Sequence, residues 1–250
     1  MKNIGHKYVS IIGNFICTKE NRLKVLKEQV PVMSKLFSDY NFYINYNTTI
    51  NLGEVKSLFE NNVKNLYFTN DLSDDWGSIT ASLVEKSETP YVFYMLEDYV
   101  YNYKFDSDYI ITDLNDELVT KVDIKGRKEF WEKMIIEAFV DGDVKHMFLA
   151  KIKKYLPPSQ FVLNSNYIER DYIYTYLAKD SPTGVYSSSA IHDKDILLSL
   201  LKQYAESYTL PTPGQFEQRS EIMRKFDDLI CAIPKEQIVI QTHLEGDTDR

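Results

Sequence analysis

Two adjacent acidic residues, Glu97 and Asp98, follow a short apolar segment at residues 91–96. A short, continuous apolar run of this kind predicts a buried strand of a parallel sheet. Two carboxylates at the end of such a strand are costly to desolvate unless a cation or hydrogen bonds compensate. Carboxylate oxygens are also the ligands that Mg²⁺ and Mn²⁺ prefer. The pair therefore indicates a divalent-cation site that holds phosphate groups, and solvated turn residues or helix caps are the alternative interpretation.

Other polar and aromatic residues stand where the remaining predicted strands end. Ligands of open parallel sheets bind beyond the carboxyl ends of the strands, so these positions are the first candidates for a ligand site. Asp71 and Asp75 suit contacts to a base or ribose, although acidic residues in the first turn of a helix are favourable without a ligand. Trp76 is a candidate for the wall of a ligand pocket or for the core. The candidate ligand-binding residues are Asn14, Phe15, Asn45, Asp71, Asp75, Trp76 and Glu97.

Strand and helix patterns alternate through the first half of the chain and predict the elements that position these residues. Short runs of apolar, β-branched or aromatic residues predict strands at residues 8–12, 41–46, 65–70 and 91–96. Helical spacing of apolar residues predicts a helix in each interval. The first is expected to be capped by Thr18 and kinked or split at Pro31, and the third to be capped by Ser73. This alternation is typical of an α/β fold with an open, mostly parallel sheet.

The second half of the chain is predicted to be rich in helices. Apolar residues indicate helices at residues 128–140, 144–156, 193–208 and 215–230, and a strand is predicted at residues 167–177. Pro-rich loops separate several of these segments.

Composition and missing motifs exclude several classes of protein. The formal net charge of -8 argues against a general nucleic-acid binder, because such proteins neutralise phosphates with clustered Lys and Arg. Neither a G-x-G-x-x-G nor a G-x-x-x-x-G-K-[ST] motif occurs, which disfavours dinucleotide oxidoreductases and P-loop NTPases. Cys17 and Cys231 form no C-x-x-C pair, so neither a disulfide framework nor a structural zinc site is expected. No segment is apolar enough for a signal peptide or a transmembrane helix, which predicts a cytoplasmic location.

The order and spacing of the first-half patterns resemble the nucleotide-binding half of GT-A glycosyltransferases, in the broad family-2-like group. The matching segments are residues 8–14, the helix that follows them, residues 76–83 and residues 91–99. In that fold an acidic D-x-D motif ends the fourth strand and binds the metal and the sugar-nucleotide phosphates. Here the motif reads Leu96-Glu97-Asp98, so leucine stands at its first acidic position. The resemblance implies a Mn²⁺ or Mg²⁺ cofactor, with Asp98 as a catalytic and metal-binding carboxylate and His243 as a further metal ligand.

A second resemblance covers residues 187–192 and the Pro-rich segment 211–217, which are similar to the acceptor side of some of these transferases. There a Pro-rich turn leads into an aromatic residue and a glutamate. This resemblance implies that Glu217 is the catalytic base, because inverting transfer needs a carboxylate that takes the proton of the acceptor hydroxyl. It also puts His192 at the acceptor cleft. An acidic residue in the first turn of a helix, and a capping or surface histidine, are the alternative interpretations.

The sequence therefore predicts a GT-A-like, Rossmann-like sheet flanked by helices, with a helix-rich carboxy-terminal acceptor part. Residues 1–101 are expected to bind the nucleotide sugar, and residues 102–250 are expected to bind the acceptor. The predicted activity is transfer of a sugar from a UDP- or GDP-sugar to a hydroxyl of a glycan or lipid-linked acceptor, with inversion. Two alternatives stay open: a non-catalytic module that binds nucleotide sugars or carbohydrates, and a nucleotidyltransferase.

Overall fold

A mixed nine-stranded sheet forms the centre of the part of the chain that the computed structural model describes. That part comprises residues 4–95, 99–101, 124–151, 166–180, 190–207, 228–235 and 239–241. Its strands are β1 (Val9–Phe15), β2 (Asn41–Tyr46), β3 (Asn65–Thr69), β4 (Tyr91–Met95), β5 (Tyr99–Tyr101), β6 (His146–Phe148), β7 (Ala150–Lys151), β8 (Tyr167–Glu169), β9 (Ile173–Leu177), β10 (Ala190–Asp193), β11 (Ile230–Pro234) and β12 (Val239–Gln241). The large sheet has the order β3-β2-β1-β4-β10-β6-β11-β9-β8, and a three-stranded sheet has the order β5-β12-β7.

Helices cover both faces of the large sheet. They are α1 (Glu20–Leu36), α2 (Leu52–Asn62), α3 (Trp76–Lys86), α4 (Ile124–Ile135), which continues into a π-helical turn at Ile136–Val140, and α5 (Lys194–Ser207). Consecutive strand residues point to opposite faces. Asn14 bonds to Thr80 of α3, whereas the adjacent Phe15 stacks on Phe59 of α2. The helices α2 and α3 therefore lie on opposite sides of the sheet, with α5 packed beside α3.

The parallel first half of the sheet confirms the predicted alternation of strands and helices. β1 pairs in parallel with β2 on one side and with β4 on the other, and β2 pairs in parallel with β3. Every residue of β1 is buried, because helices cover both of its faces. All four carboxyl ends consequently point to the same edge of the sheet.

The boundaries of two helices differ from the prediction. α1 passes through Pro31 as one helix, because Val30 and Val32 on either side of the proline are buried and packing outweighs the lost hydrogen bond. Its N-cap position is Lys19, which makes no side-chain cap, so Thr18 does not cap it. The N-cap of α3 is Asp75 rather than Ser73.

The prediction of a helix at residues 144–156 is wrong for its described part, which forms the strands β6 and β7. A short apolar run does not distinguish a buried strand from a helical segment by periodicity alone, and β6 is buried between two neighbouring strands. The predicted strand at 167–177 is a hairpin of β8 and β9, and the predicted helix at 193–208 is confirmed as α5. Ile230 begins β11 instead of ending a helix. The helix-rich second half is therefore not confirmed.

Strands from the second half of the chain extend the same sheet. β10 pairs antiparallel with β4, β6 pairs antiparallel with β10, and β11 pairs in parallel with β6. Both predicted halves thus contribute to one sheet, and their division near residue 101 stays a prediction. Within the described residues, none of the helices has the length and apolar character needed to cross a membrane.

A buried carboxylate, Glu132 on α4, anchors the amino-terminal segment. One of its oxygens accepts hydrogen bonds from the main-chain N–H groups of Ile4 (3.0 Å) and Gly5 (2.7 Å), and the other accepts one from the Tyr40 hydroxyl at 2.9 Å. Trp131 donates its indole N–H to the same hydroxyl. Burial, followed by the Glu132 charge, raises the pKa of Tyr40 well above its usual value, so the hydroxyl stays protonated and donates.

Candidate functional site

Polar side chains of three neighbouring strands meet at the carboxyl edge of the sheet. In the parallel register Asn14 of β1 lies opposite Asn45 of β2, and Asn45 lies opposite Thr69 of β3. Residues at matching positions of adjacent strands project from the same face, so these three side chains are neighbours. The register therefore brings together two of the predicted ligand-binding residues, Asn14 and Asn45, and adds Thr69, which was not predicted.

Asn45 is the centre of this group, and its side chain is fully buried. Its Nδ2 donates to Asn14 Oδ1 at 3.0 Å and to the main-chain oxygen of Asp71 at 3.1 Å. Its Oδ1 accepts from Thr69 Oγ1 and from the main-chain N–H of Asp71, both at 2.8 Å. A carboxamide offers two donor and two acceptor positions, so the protein itself occupies all four.

Asn14 connects this group to α3. Its Nδ2 lies 3.4 Å from Thr80 Oγ1, and the Thr80 hydroxyl in turn donates to the main-chain oxygen of Trp76 at 2.8 Å. Both Asn14 and Thr80 are buried. The start of α3 is thereby held at a fixed position beside the ends of β1 and β2.

The loop between β3 and α3 forms the exposed rim of this edge. Asp71 is exposed, and its Oδ1 accepts the main-chain N–H of Ser73 at 2.9 Å. The carboxylate of Asp75 caps α3, because its oxygens accept from the main-chain N–H of Ser78 at 3.1 Å and from the Ser78 hydroxyl at 2.5 Å. The rim therefore presents a fixed main chain and the Asp71 carboxylate, a group that accepts hydrogen bonds from N–H and O–H donors of a ligand.

Two further asparagines tie this loop to the loop that follows β2. Asn47 donates from Nδ2 to the main-chain oxygen of Ser73 at 2.9 Å. Asn70 donates to the main-chain oxygens of Tyr46 and Thr48, the latter at 3.0 Å. Sequence analysis did not identify these two residues, because their partners are set by the register of the sheet.

Phe15 and Trp76 are packed into the protein. Phe15 is fully buried and its ring stacks on Phe59 with ring centroids 6.0 Å apart, so the residue is not exposed to a ligand at the edge. The Trp76 ring is 6% exposed and meets Tyr94 edge-on at 5.9 Å between centroids. Of the two interpretations of Trp76, the structure favours the core.

Glu97, Asp98, Glu217 and His243 lie outside the described residues, and their roles stay predictions. β4 ends at Met95, which lies opposite Gly13 of β1, so Glu97 and Asp98 follow this strand in the sequence. Among the residues that the structure does describe, no three His, Cys, Asp or Glu side chains come together as a potential metal site.

His192 is far from this edge. β10 runs antiparallel to β4, with Ala190 opposite Tyr94 and His192 opposite Val92, nearer the amino end of β4. The His192 side chain is 2% exposed and its Nδ1 lies 3.3 Å from His146 Nδ1. The alternative of a surface histidine is therefore wrong, and the prediction that His192 lies at an acceptor cleft finds no support in its burial.

Solved structures with a similar fold include Staphylococcus aureus (S. aureus) TarS, a GT-A-type glycosyltransferase. Its residues 1–349 align with a TM-score of 0.58, 13% identity and coverage of 94% of this chain and 60% of that chain. The complex of the same protein with UDP-GlcNAc aligns with a TM-score of 0.57, 15% identity and coverage of 96% and 60%. A complex with UDP aligns with a TM-score of 0.55 and 14% identity, covering 93% and 60%.

A different enzyme also aligns, 4-diphosphocytidyl-2C-methyl-D-erythritolsynthase from Anaerococcus prevotii. Its TM-score is 0.50 at 12% identity, with coverage of 96% of this chain and 93% of that chain.

This chain spans about 60% of the length of the TarS 1–349 structures and 36% of the longer TarS structure. No protein-family model and no characterised protein matches the chain by sequence. At these identities the similarity concerns the fold, which is the glycosyltransferase-like α/β fold that the sequence predicts.

Proposed function

We propose that this chain is a glycosyltransferase that moves a sugar from a UDP- or GDP-sugar to a hydroxyl of a glycan or lipid-linked acceptor. The observation that carries the proposal is the hydrogen-bonded group of Asn14, Asn45, Thr69 and Asp71 at the carboxyl edge of β1–β3. It occupies the edge where open parallel sheets bind ligands, in a fold shared with structures of TarS in complex with UDP and UDP-GlcNAc.

In this proposal the nucleoside lies against the rim formed by residues 70–75. The exposed Asp71 carboxylate accepts a hydrogen bond from the base or the ribose, and the buried asparagines keep the rim in place. Asp98, which follows β4 in the chain, would hold the divalent cation that binds the diphosphate end of the donor. A Mn²⁺ or Mg²⁺ ion bound there would stabilise the charge of the departing diphosphate. Positioning of donor and acceptor and stabilisation of the departing diphosphate together supply most of the acceleration.

The acceptor hydroxyl is proposed to lose its proton to Glu217. A carboxylate on the ring face opposite the leaving nucleotide gives inversion, because the acceptor oxygen attacks as the diphosphate departs. The donor half at residues 1–101 and the acceptor half at residues 102–250 belong to this same proposal.

Turnover of donor in the presence of acceptor tests these roles. Asp98→Asn and Glu217→Gln are each expected to lower kcat at least about 100-fold, as for loss of a general base or of charge stabilisation. Glu129→Gln is the matched control, because Glu129 is exposed on α4, away from the edge. Unchanged turnover in both site variants would contradict the proposed mechanism.

A nucleotidyltransferase is the second candidate function. The specific observation in its favour is the fold similarity to the 4-diphosphocytidyl-2C-methyl-D-erythritolsynthase from Anaerococcus prevotii. This chain covers 93% of that enzyme's structure. Calorimetry with UDP, GDP and CMP, with and without Mn²⁺, combined with an assay of pyrophosphate release from CTP, separates the possibilities. Sugar transfer from a UDP- or GDP-sugar supports the glycosyltransferase, and pyrophosphate release supports the second candidate. Nucleotide binding without any turnover supports a non-catalytic module.

A further inference from the structure

Asn45 is held by four hydrogen bonds within the protein, and two of them end on the same residue. The main-chain N–H of Asp71 donates to Asn45 Oδ1 at 2.8 Å, and the main-chain oxygen of Asp71 accepts from Asn45 Nδ2 at 3.1 Å. This double contact also defines which end of the carboxamide is oxygen, since the N–H requires an acceptor and the C=O a donor.

The contact holds the rim loop at the point where it leaves β3. Thr69 is the last residue of β3, and Asp71 is the second residue after it. Loops carry solvent-exposed main chain and move more than strands, so a loop that binds a ligand needs an internal anchor to stay in one conformation. Asn45 supplies that anchor from the rigid end of β2, with Asn14 and Thr69 holding its other two hydrogen-bond positions.

A nucleotide has no direct access to Asn45. The side chain is fully buried, and a ligand contact would require that one of its four hydrogen bonds be given up. Leaving a buried polar partner unpaired carries a desolvation cost, which such a contact would first have to offset. The Asp71 side chain, by contrast, is exposed on the rim.

We propose that Asn45 is a positioning residue, which acts on the donor nucleotide only through Asp71 and the loop that Asp71 begins. The effect of Asn45 on the donor nucleotide rests on the donor site proposed at this edge. The sequence predicts Asn45 as a residue that contacts the ligand, and this proposal replaces that role with an indirect one.

The first experiment measures hydrogen exchange of the Asp71 amide by NMR in the free protein. Asn45→Ala removes the acceptor of this amide, so its exchange is expected to accelerate about tenfold or more relative to wild type. Asn65→Ala is the matched control, because Asn65 lies on β3 at its opposite end. Unchanged exchange of the Asp71 amide in a folded Asn45→Ala variant would overturn the proposal.

A second variant covers the case in which Asn45→Ala does not fold. Asn45→Asp keeps the shape and both acceptor contacts but loses both donor contacts, to Asn14 and to the Asp71 oxygen. Its Asp71 amide is expected to remain protected, while the UDP dissociation constant rises about tenfold. UDP-sugar turnover is expected to show a raised KM with kcat changed less than about twofold. An unchanged dissociation constant in Asn45→Asp contradicts the proposal.

A double-mutant cycle distinguishes indirect from direct action. In the Asp71→Ala background, where no Asp71 carboxylate is left to position, Asn45→Asp is expected to weaken UDP binding less than about threefold. Fully additive effects would mean that Asn45 acts on the nucleotide independently of Asp71. If the wild-type chain binds no UDP, the proposed function fails, and the exchange rate of the Asp71 amide still decides whether Asn45 anchors the loop.

Discussion

His146 and His192 face each other across β6 and β10 with their Nδ1 atoms 3.3 Å apart. Both side chains are almost fully buried in the middle of the large sheet. Burial lowers the pKa of His192 to about 3, and burial followed by the neighbouring His192 lowers the pKa of His146 well below its usual value. Burial also raises the pKa of Cys231, opposite His146 on β11, to about 12, so that thiol is neutral. His146 and His192 are therefore both uncharged near neutral pH.

This pair predicts that the protein loses stability in mild acid. The unfolded chain binds protons at its histidines below pH about 6.5, whereas the folded pair does not, so acid favours the unfolded state. The stabilising contribution is complete above that pH and is lost as the pH falls from about 6.5 towards about 3, the folded pKa of His192. The expected loss in unfolding free energy is about 1.4 kcal/mol per pH unit for each histidine.

Denaturant unfolding at several pH values between 7 and 4.5 measures the slope of the unfolding free energy against pH. The variant His146→Gln/His192→Gln is expected to be less stable at pH 7 but to lose stability more slowly as the pH falls. His6→Gln removes a histidine outside the pair and serves as the control. Equal slopes in wild type and the double variant would show that the pair does not determine the acid sensitivity.

Gly5 is predicted to be intolerant of any side chain. A Cβ atom at this position would overlap the Tyr40 hydroxyl and would lie 2.8 Å from Glu132 Oε1. Gly5→Ala is therefore expected to lower the unfolding free energy by about 2 kcal/mol, the usual cost of overpacking. Gly53→Ala is the matched control, because a Cβ there has no atom within 4 Å and alanine favours the helix. Thermal melting is the measurement, and similar melting temperatures for the two variants would count against the Glu132 anchor.

The cap of α3 gives a prediction at the candidate site itself. Asp75→Ala removes the acceptor of the Ser78 N–H and is expected to cost about 1 kcal/mol of stability. Asp74→Ala, a change of the neighbouring exposed residue, is the control and is expected to change stability by less than about 0.5 kcal/mol. Chemical denaturation measures the unfolding free energy of both variants. The prediction is wrong if Asp74→Ala proves the more destabilising.

The first half of the fold was predictable because local pattern and tertiary structure agree there. The strands β1, β2 and β4 are short runs that are buried almost throughout, as such runs indicate. The edge strand β3 is only half-buried, and its apolar and aromatic residues sufficed to predict it. Pro31 shows the limit of local reasoning, since buried neighbours keep the helix intact where an isolated segment would bend. β6 shows another limit, because its strand character comes from pairing with β10 and β11.

The candidate site was predictable as a location but not as an arrangement. Asn14, Asn45 and Asp71 were identified because they end strands. Their mutual hydrogen bonds depend on register, which a sequence without its pairing partners does not specify. For the same reason Thr69 and Thr80 were missed. The burial of His192 was missed too, because it follows from the antiparallel pairing of β10 with β4.

The proposed donor site at the carboxyl ends of β1–β3 can be located by backbone amide NMR during a UDP titration. Amide chemical shifts are expected to change at the carboxyl edge, in Asn47 and in residues 70–75, while those of Gly5 and Asn65 at the opposite edge stay unchanged. Shifts confined to Gly5, Asn65 and their surroundings, or no shifts at millimolar UDP, would contradict a donor site at the ends of β1–β3.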